Sequence, residues 1–425
     1  MDYNDFATKE EESALLSRER IGIFRSDFDP IQQGHMQMAV STLNQCPLDQ
    51  ILLIPKVNDE LKPCAASRED RWKMVVAAST QDSRLIPSRM EIVRKKASSA
   101  FDILNALKKE HPKADLFYIL CPDEIMGLRL WPHLKKVFSL CTFLVCMQAG
   151  DEYPGALHDE INRLRSLNGH FSIIQTECGS DASAEIWKHK SSGSLVSCLF
   201  SPIWEYCSLT GLYDFSRHLD DRTEEWLEKL FSSLNPRRFA HSLSVADYAR
   251  SLAQIHHINL RQAEEAGLLH DCAKCMPLKE MQRIAIEHSL TDDPEILSSS
   301  ALMHSLVGAW IARNKYGMAD PEVLEAISYH NTGHAGMSRL AMCVCLADSI
   351  EPTRGFYPHL EQVRALAELS LERALLLSLE TTADFVRQRG KYLHPLTQNT
   401  IAWLKTLPSV RNHTGQAMHP MCGNA

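Results

Sequence analysis

Short apolar runs alternate with amphipathic stretches from Ile21 to about Tyr213. The runs are IGIF, QILLIP, DLFYILC, CTFLVCM and FSIIQTE, and stretches such as SREDRWKMVVAAS and SAFDILNALKKE separate them. Apolar strands separated by helices in this way predict a doubly wound parallel sheet. We therefore expect an α/β domain over 19–214, with any ligand at the carboxyl ends of its strands.

The second half of the chain has helical periodicity instead. Its runs include HSLSVADYARSLA, AEEAGLLHDCAKC, HSLVGAWIARNKYG and EVLEAISY. These predict an all-α domain over 221–408. The acidic stretch SRHLDDRTEE marks the join near 215–222, and a chain of 425 residues is long enough for two separate cores. The polar ends, 1–18 and 409–425, are expected to be poorly ordered.

Histidines and aspartates recur at the ends of these predicted helices. The candidate metal ligands are His241, the adjacent pair His270 and Asp271, His304, His330 and Asp348. Helices that bring imidazole and carboxylate groups to one point can build a metal site from distant residues. Such ligands suit Fe, Mn, Co or Zn better than Mg or Ca. The alternative is that each is a hydrogen-bonded core residue, the interpretation we give to His256, His257, His288, His359 and His394.

The order and local context of these residues resemble the HD superfamily, and within it the YqeK-type symmetric diadenosine tetraphosphate hydrolases. The resemblance runs from about Leu227 to Leu404 through the segments RRFAHSLSVA, AGLLHDCAKC, LMHSLVGA, AISYHNTGHAGMSRL and LADSIEPTRGF. It implies hydrolysis of the tetraphosphate to two ADP at two divalent metal ions, with iron expected first. It also implies that His241, His270 and Asp348 hold one metal and that His304 and His330 hold the other. Asp271 would bridge the two.

Three further residues are candidates for binding the polyphosphate. Lys274 lies one turn beyond the His-Asp pair, and Arg354 follows Pro352 where the chain must leave a helix. Ordinary solvated surface charge is the alternative for both. His334 stands where the family usually carries arginine, so this position offers a protonatable group instead. The resemblance leaves open which nucleoside polyphosphate is the substrate, guanosine alarmones included, and whether this half is a sensor without turnover.

The first strand-to-helix turn, GIFRSDFDPIQQGHMQMA, resembles the phosphate-binding turn of nicotinate mononucleotide adenylyltransferases. Further similarity lies in CPDEIMGLRLWPHL and HKSSGSLV, so the resemblance covers about 21–213. It implies a Rossmann-like nucleotidyltransferase domain. Its candidate nucleotide-binding residues are Phe24, Asp29, Gly34, His35, Lys62 and Ser191.

This turn departs from the family at positions that catalysis uses. Arg25 and Ser26 replace a double glycine, Gln32 replaces a histidine, and Val196 replaces a terminal arginine. Since nucleotidyl transfer depends on positive charge around the phosphates, we expect a nucleotide-binding or scaffolding domain without adenylyltransferase activity. A bifunctional enzyme remains the alternative.

Composition narrows the expected partners. A net charge of -8 and a pI near 6.2 argue against nucleic acid as a general partner. No apolar run approaches the roughly 20 residues that span a bilayer, and the charged start of the chain has no signal-peptide core, so a cytoplasmic protein without a membrane partner is expected. The 13 scattered cysteines favour reduced thiols. A homodimer is left open.

Overall fold

The structure is a computed structural model that describes residues 18–57, 64–94, 98–148, 155–176, 199–214, 221–355, 357–390 and 393–411. The chain divides into two compact units, Met1–His218 and Leu219–Ala425. The candidate residues Lys62 and Ser191 lie outside the described residues, as do Val196, the first 17 residues and the tail from residue 412.

A six-stranded sheet forms the centre of the first unit. Its strands are β1 (Arg20–Ser26), β2 (Gln50–Pro55), β3 (Leu85–Pro87), β4 (Asp115–Leu120), β5 (Cys141–Gln148) and β6 (Phe171–Thr176). All pairings are parallel and the order is β3-β2-β1-β4-β5-β6, which confirms the predicted doubly wound sheet. The order reverses between β1 and β4, so the carboxyl ends of these two strands flank the crevice where such sheets bind ligands.

Sequence patterning missed β3. This strand has three residues, and Ile86 is exposed at 37%, so it shows neither the length nor the apolar continuity of its neighbours. It forms because Leu85, Ile86 and Pro87 pair with β2, and its position at the sheet edge tolerates Pro87.

The helices of the first unit connect these strands. They are α1 (Gln33–Gln45), α2 (Arg68–Ser79), α3 (Met90–Arg94), α4 (Ala100–Glu110), α5 (Pro122–Gly127), α6 (Leu134–Phe138), α7 (Gly155–Ser166) and α8 (Ser201–Thr210). The central strand β1 contains a continuous buried run from Ile21 to Phe24, as expected for a parallel strand that is covered on both faces.

The described part of the second unit is helical, as predicted. Its helices are α9 (Asp221–Ser233), α10 (Pro236–Ile255), α11 (Leu260–Leu269), α12 (Leu278–Glu287), α13 (Pro294–Ser298), α14 (Ser300–Lys315), α15 (Pro321–Tyr329), α16 (Arg339–Ile350), α17 (Leu360–Leu369), α18 (Leu371–Gln388), α19 (Pro395–Leu404) and α20 (Pro408–Arg411). None of the helices within the described ranges is long and apolar enough to cross a membrane.

Helix α16 lies at the centre of the second unit. It packs against α10, α11, α15 and α18, and every residue from 340 to 347 is buried. A helix that is apolar all round must be buried, and the sequence RLAMCVCLADSI has this character until Asp348. Asp348 therefore lies where this buried run ends, close to the ends of other helices.

Gly267 allows α10 and α11 to approach closely. A Cβ at this position would lie 2.8 Å from Cα of Ala246 and 3.0 Å from the carbonyl oxygen of Val245. Both are backbone atoms of α10, so no side chain could turn aside to make room. Only glycine fits this contact, which lies one turn before His270.

Candidate metal centre

The six predicted ligands lie on, or directly after, five helices of the second unit. His270 and His330 are the residues that follow α11 and α15, and Asp348 lies near the end of α16. The expectation that His241 and His304 open their helices is wrong. Helix α10 begins at Pro236, because the side chain of Asn235 caps it by accepting from the Arg238 N–H, so His241 lies in the second turn. His304 is the fifth residue of α14.

One set of ligand atoms gathers around Asp348. Its Oδ1 lies 2.9 Å from Nε2 of His241 and 3.7 Å from Nε2 of His270. All three residues offer atoms within 4.8 Å of one another. This spacing suits a single ion bound between two imidazoles and a carboxylate.

A second set gathers around Asp271. Its Oδ1 lies 3.2 Å from Nε2 of His304 and 3.6 Å from Nε2 of His330, and these two nitrogens are 3.0 Å apart. Its other oxygen, Oδ2, lies 3.7 Å from Nε2 of His270. The two oxygens of one carboxylate thus face different imidazoles, as a bridging ligand would. The ligand atoms of His270, Asp271 and His330 also lie within 4.8 Å of one another.

The other ring nitrogens of these histidines are held by the protein. Nδ1 of His270 donates to the Gly267 carbonyl at 2.7 Å, and Nδ1 of His330 donates to the Ile327 carbonyl at 2.8 Å. Donation from Nδ1 leaves the lone pair on Nε2, which is the tautomer a metal requires. Both rings therefore present Nε2 to the cluster.

Sequence reasoning missed Glu351, which orients His241. This carboxylate is 1% exposed and lies 3.1 Å from Nδ1 of His241. It also accepts from the Ser244 hydroxyl at 2.6 Å and from the N–H and hydroxyl of Thr353 at 2.6 and 2.7 Å. The signal was present in the segment LADSIEP, where Glu351 follows Asp348 by three residues, one helical turn.

Within the part of the chain that the structure describes, two buried polar atoms of the cluster have no hydrogen-bond partner, namely Nε2 of His270 and Oδ1 of Asp271. Each such atom costs roughly 1–3 kcal/mol when nothing binds it. Burial lowers the pKa of His270 to about 3 and that of His304 to about 4, so both rings are neutral at pH 7. Burial alone would raise the pKa of Asp271, but His270 and the facing imidazoles hold it well below its usual range. A neutral donor set around an ionised carboxylate fits a divalent cation.

Three cations surround the cluster. Nζ of Lys274 lies 2.9 Å from Nε2 of His304 and 3.5 Å from Oδ1 of Asp271. Arg238 donates to Oδ2 of Asp271 at 2.9 Å, and Arg354 donates to the side chain and carbonyl of Asp348. Each pairs with a candidate ligand and keeps between 25% and 35% of its side chain exposed. Lys274 and Arg354 are thus brought to the centre, and Arg238 joins them.

The structure places His334 differently. Its Nε2 lies 2.8 Å from Glu325, its Nδ1 lies 3.1 Å from the Ala335 carbonyl, and its ring packs 4.3 Å from that of Tyr329. These contacts are with neighbouring surface groups rather than with the metal cluster. Of the three predicted polyphosphate-binding residues, His334 is therefore the one whose contacts do not connect it to the candidate metal centre.

A pocket of about 620 Å³ opens beside the cluster. His330, Asp348 and Arg354 form part of its wall, and residues of α18 form another part. This volume lies within the range of roughly 300–1,000 Å³ that holds small-molecule ligands. A ligand in the pocket would contact the metal residues directly.

Of the described candidate nucleotide residues of the first unit, Asp29 is engaged in internal contacts. Asp29 accepts from the N–H groups of Ala65 and Ala66 at 2.6 and 3.0 Å and from the Tyr213 hydroxyl at 2.6 Å. Phe24 is 2% exposed. Gly34 lies in the first turn of α1.

Arg25, Gln32 and His35 offer no unpaired positive charge at that turn. Nε of Arg25 donates to the fully buried Glu91 at 2.7 Å, and its terminal nitrogen donates to the Ser98 carbonyl at 2.9 Å. Nδ1 of His35 accepts the N–H of Gln32 at 3.1 Å, and burial lowers the pKa of His35 to about 4. At pH 7, therefore, neither His35 nor Gln32 carries positive charge.

Comparisons with known proteins agree with this division. A family described as HD domain matches residues 238–353, and one described as cytidylyltransferase-like matches residues 23–189. A probable nicotinate-nucleotide adenylyltransferase/Ap4A hydrolase of Mycoplasma genitalium is 26% identical, over 87% of this chain and 99% of its own length.

Two relatives match the second half alone. The symmetrical bis(5'-nucleosyl)-tetraphosphatase of Bacillus subtilis is 35% identical over 43% of this chain and 96% of its own length. A crystal structure of a predicted HD superfamily hydrolase involved in NAD metabolism, from Clostridium acetobutylicum, is also 35% identical, covers 43% of this chain and 95% of that protein, and has a TM-score of 0.42.

Proposed function

Because the second half of this chain belongs to the family of symmetrical bis(5'-nucleosyl)-tetraphosphatases, we propose that it hydrolyses dinucleoside polyphosphates. The proposed reaction consumes one diadenosine tetraphosphate and one water and releases two ADP. The observation that supports this proposal is that two buried atoms, Nε2 of His270 and Oδ1 of Asp271, have no hydrogen-bond partner among the described residues. They lie beside a pocket whose lining includes Arg354.

We propose that two divalent metal ions occupy the cluster. Iron is the first choice for their identity, and manganese, cobalt and zinc are the alternatives. His241, His270 and Asp348 would hold one ion, His304 and His330 the other, and Asp271 would bridge them. Such ions supply a water acidified towards about pH 7 and positive charge for the phosphate. Iron or zinc accepts the mixture of imidazole and carboxylate donors that the cluster offers.

The protein groups around the cluster position the polyphosphate. Arg354 lines the pocket, and its guanidinium can bind two phosphate oxygens at once while it still contacts Asp348. Lys274 supplies a second positive charge on the Asp271 side. Burial lowers the pKa of Lys274, and Asp271 opposes that effect. The net charge of -8 opposes general binding of nucleic acid, so recognition of the polyphosphate depends on these local cations.

Product analysis tests the proposed function. Protein purified without oxygen is analysed for metal and incubated with diadenosine tetraphosphate, and early products are separated by anion exchange. ADP as the sole early product supports symmetric hydrolysis, whereas equal amounts of ATP and AMP contradict it. A parallel screen with guanosine polyphosphates identifies the preferred nucleotide. The Lys274→Ala variant should slow turnover while metal remains bound.

For the first unit we propose a nucleotide-binding or scaffolding role without adenylyl transfer. Gln32 carries no charge, the buried His35 is neutral at pH 7, and Arg25 is already paired with Glu91. Each missing donor to a developing phosphate charge costs on the order of 3–4 kcal/mol of barrier. We therefore expect no formation of nicotinate adenine dinucleotide from ATP and nicotinate mononucleotide. Turnover comparable to that of the second unit would contradict this proposal.

A further inference from the structure

We propose that one face of α18 binds a nucleoside of the substrate, with Phe385 stacking against its base. This inference rests on the proposed function, because it assigns the part of the pocket that the metal residues and Arg354 do not form. Thr381, Asp384, Phe385 and Gln388 line the pocket. They follow one another at intervals of three, one and three residues, so they share one face of the helix.

The charges of the pocket wall orient the ligand. Arg354 contributes a guanidinium beside the metal residues His330 and Asp348. The α18 part of the lining contributes Glu380 and Asp384, whose carboxylates are paired with Lys405 at 2.7 Å and with Arg387 at 3.2 Å. A polyphosphate is attracted to Arg354 and a bound metal, whereas the α18 part of the wall offers it no lysine or arginine. The uncharged nucleoside therefore faces α18, where carboxylate oxygens can accept hydrogen bonds from ribose hydroxyls.

Phe385 has the surface that base stacking requires. Its side chain is 51% exposed, whereas most large apolar residues of this unit are buried. The guanidinium of Arg389 lies 4.3 Å from the ring centroid, and this cation–π contact holds the ring in place. A ring that is already ordered loses little side-chain freedom when a base stacks on it. Exposure of this ring is thus explained by a ligand that covers it.

Calorimetric titration of the metal-loaded protein with ADP and, separately, with inorganic pyrophosphate tests the inference. Phe385→Ala should weaken ADP binding roughly tenfold to a hundredfold, the range expected for one base–aromatic stack. Pyrophosphate binding should not change, because it has no nucleoside. Phe385→Trp should restore ADP binding, and its fluorescence should be quenched by ADP. Leu369→Ala, which removes another exposed apolar side chain outside the pocket, should leave both affinities unchanged.

Two outcomes overturn the inference: unchanged ADP binding in Phe385→Ala, or an equal loss of ADP and pyrophosphate binding, which would indicate a structural role for the ring. Failure of the proposed function is a separate result. Wild-type protein that binds ADP through Phe385 without hydrolysing diadenosine tetraphosphate would contradict the activity and retain the nucleoside site. If the wild-type protein hydrolyses the tetraphosphate and Phe385→Ala binds ADP as tightly as the wild type does, the activity stands and the nucleoside site is ruled out.

Discussion

Glu351 and Asp348 hold opposite nitrogens of the same ring, that of His241, at 3.1 and 2.9 Å. Burial alone would lower the pKa of His241, but these two carboxylates outweigh that effect and raise it. Glu351 thereby fixes which nitrogen faces the metal position. A residue that never touches the ion would set the geometry of one that does.

Glu351→Gln should weaken metal binding about tenfold to a hundredfold, the usual effect of losing a partner behind a metal-binding histidine. The amide NH₂ would face at least one of the donors from Ser244 and Thr353 that the carboxylate now accepts. Metal affinity is measured by competition with a chromogenic chelator. Glu325→Gln is the matched control, because that carboxylate pairs with His334 instead. Equal affinities in the two variants would remove Glu351 from the site.

Asp271→Ala should lose most of the bound metal and all turnover, since both carboxylate oxygens face the cluster. Elemental analysis and the ADP assay measure the two effects on the same sample. His288→Ala is the control: this exposed imidazole stacks on Trp310 at 4.5 Å and should alter neither quantity. A variant at Asp271 with full metal content and rate would contradict the assignment.

The two metal positions should differ in their response to pH. The pKa of His241 in the folded protein is raised above the ordinary histidine value of about 6.5, so this ring keeps its proton at pH values where an ordinary histidine has lost it. A metal must displace that proton in order to bind. His304, with a pKa of about 4, carries no proton to displace above that pH. As pH falls from 8 to 5, the ion at His241 should leave first and the ion at His304 should remain. Metal content per chain after buffer exchange at each pH measures this, and loss of both ions in one step would be inconsistent with it.

Gly267→Ala should destabilise the second unit by about 1–3 kcal/mol, the usual cost of overpacking. The new methyl group would meet backbone atoms of α10 at 2.8–3.0 Å, and moving α11 away would also displace the carbonyl that holds His270. Denaturant unfolding and metal titration should both report the change. Gly308→Ala offers a comparison within a helix, because its nearest contact would be an ordinary 3.5 Å. Equal stability of the two variants would contradict the close-contact argument.

The sequence predicted the five longer strands, and it singled out the histidines and aspartates that the structure brings together, because each group has a local signature. Continuous apolar runs mark buried parallel strands, and the His-Asp pair follows an apolar helix. The three-residue β3 lacked such a signature. The pairing of Arg25 with Glu91 joins residues 66 positions apart, so no local pattern contains it. Glu351 follows Asp348 by one helical turn in the sequence, but only the packing of α10 against α16 shows that its carboxylate is buried.

His270 and His330 each donate Nδ1 to the carbonyl three residues earlier in the helix that they terminate. Each helix end therefore selects the tautomer of its own candidate metal ligand, without a partner from elsewhere in the chain. Main-chain carbonyls are retained whatever side chains surround them. These two positions can thus keep their chemistry while the neighbouring sequence diverges, whereas His241 depends on one particular carboxylate. Glu351 should consequently tolerate fewer substitutions during evolution than Gly267 or Ile327, as far as the hydrogen bond to each histidine is concerned.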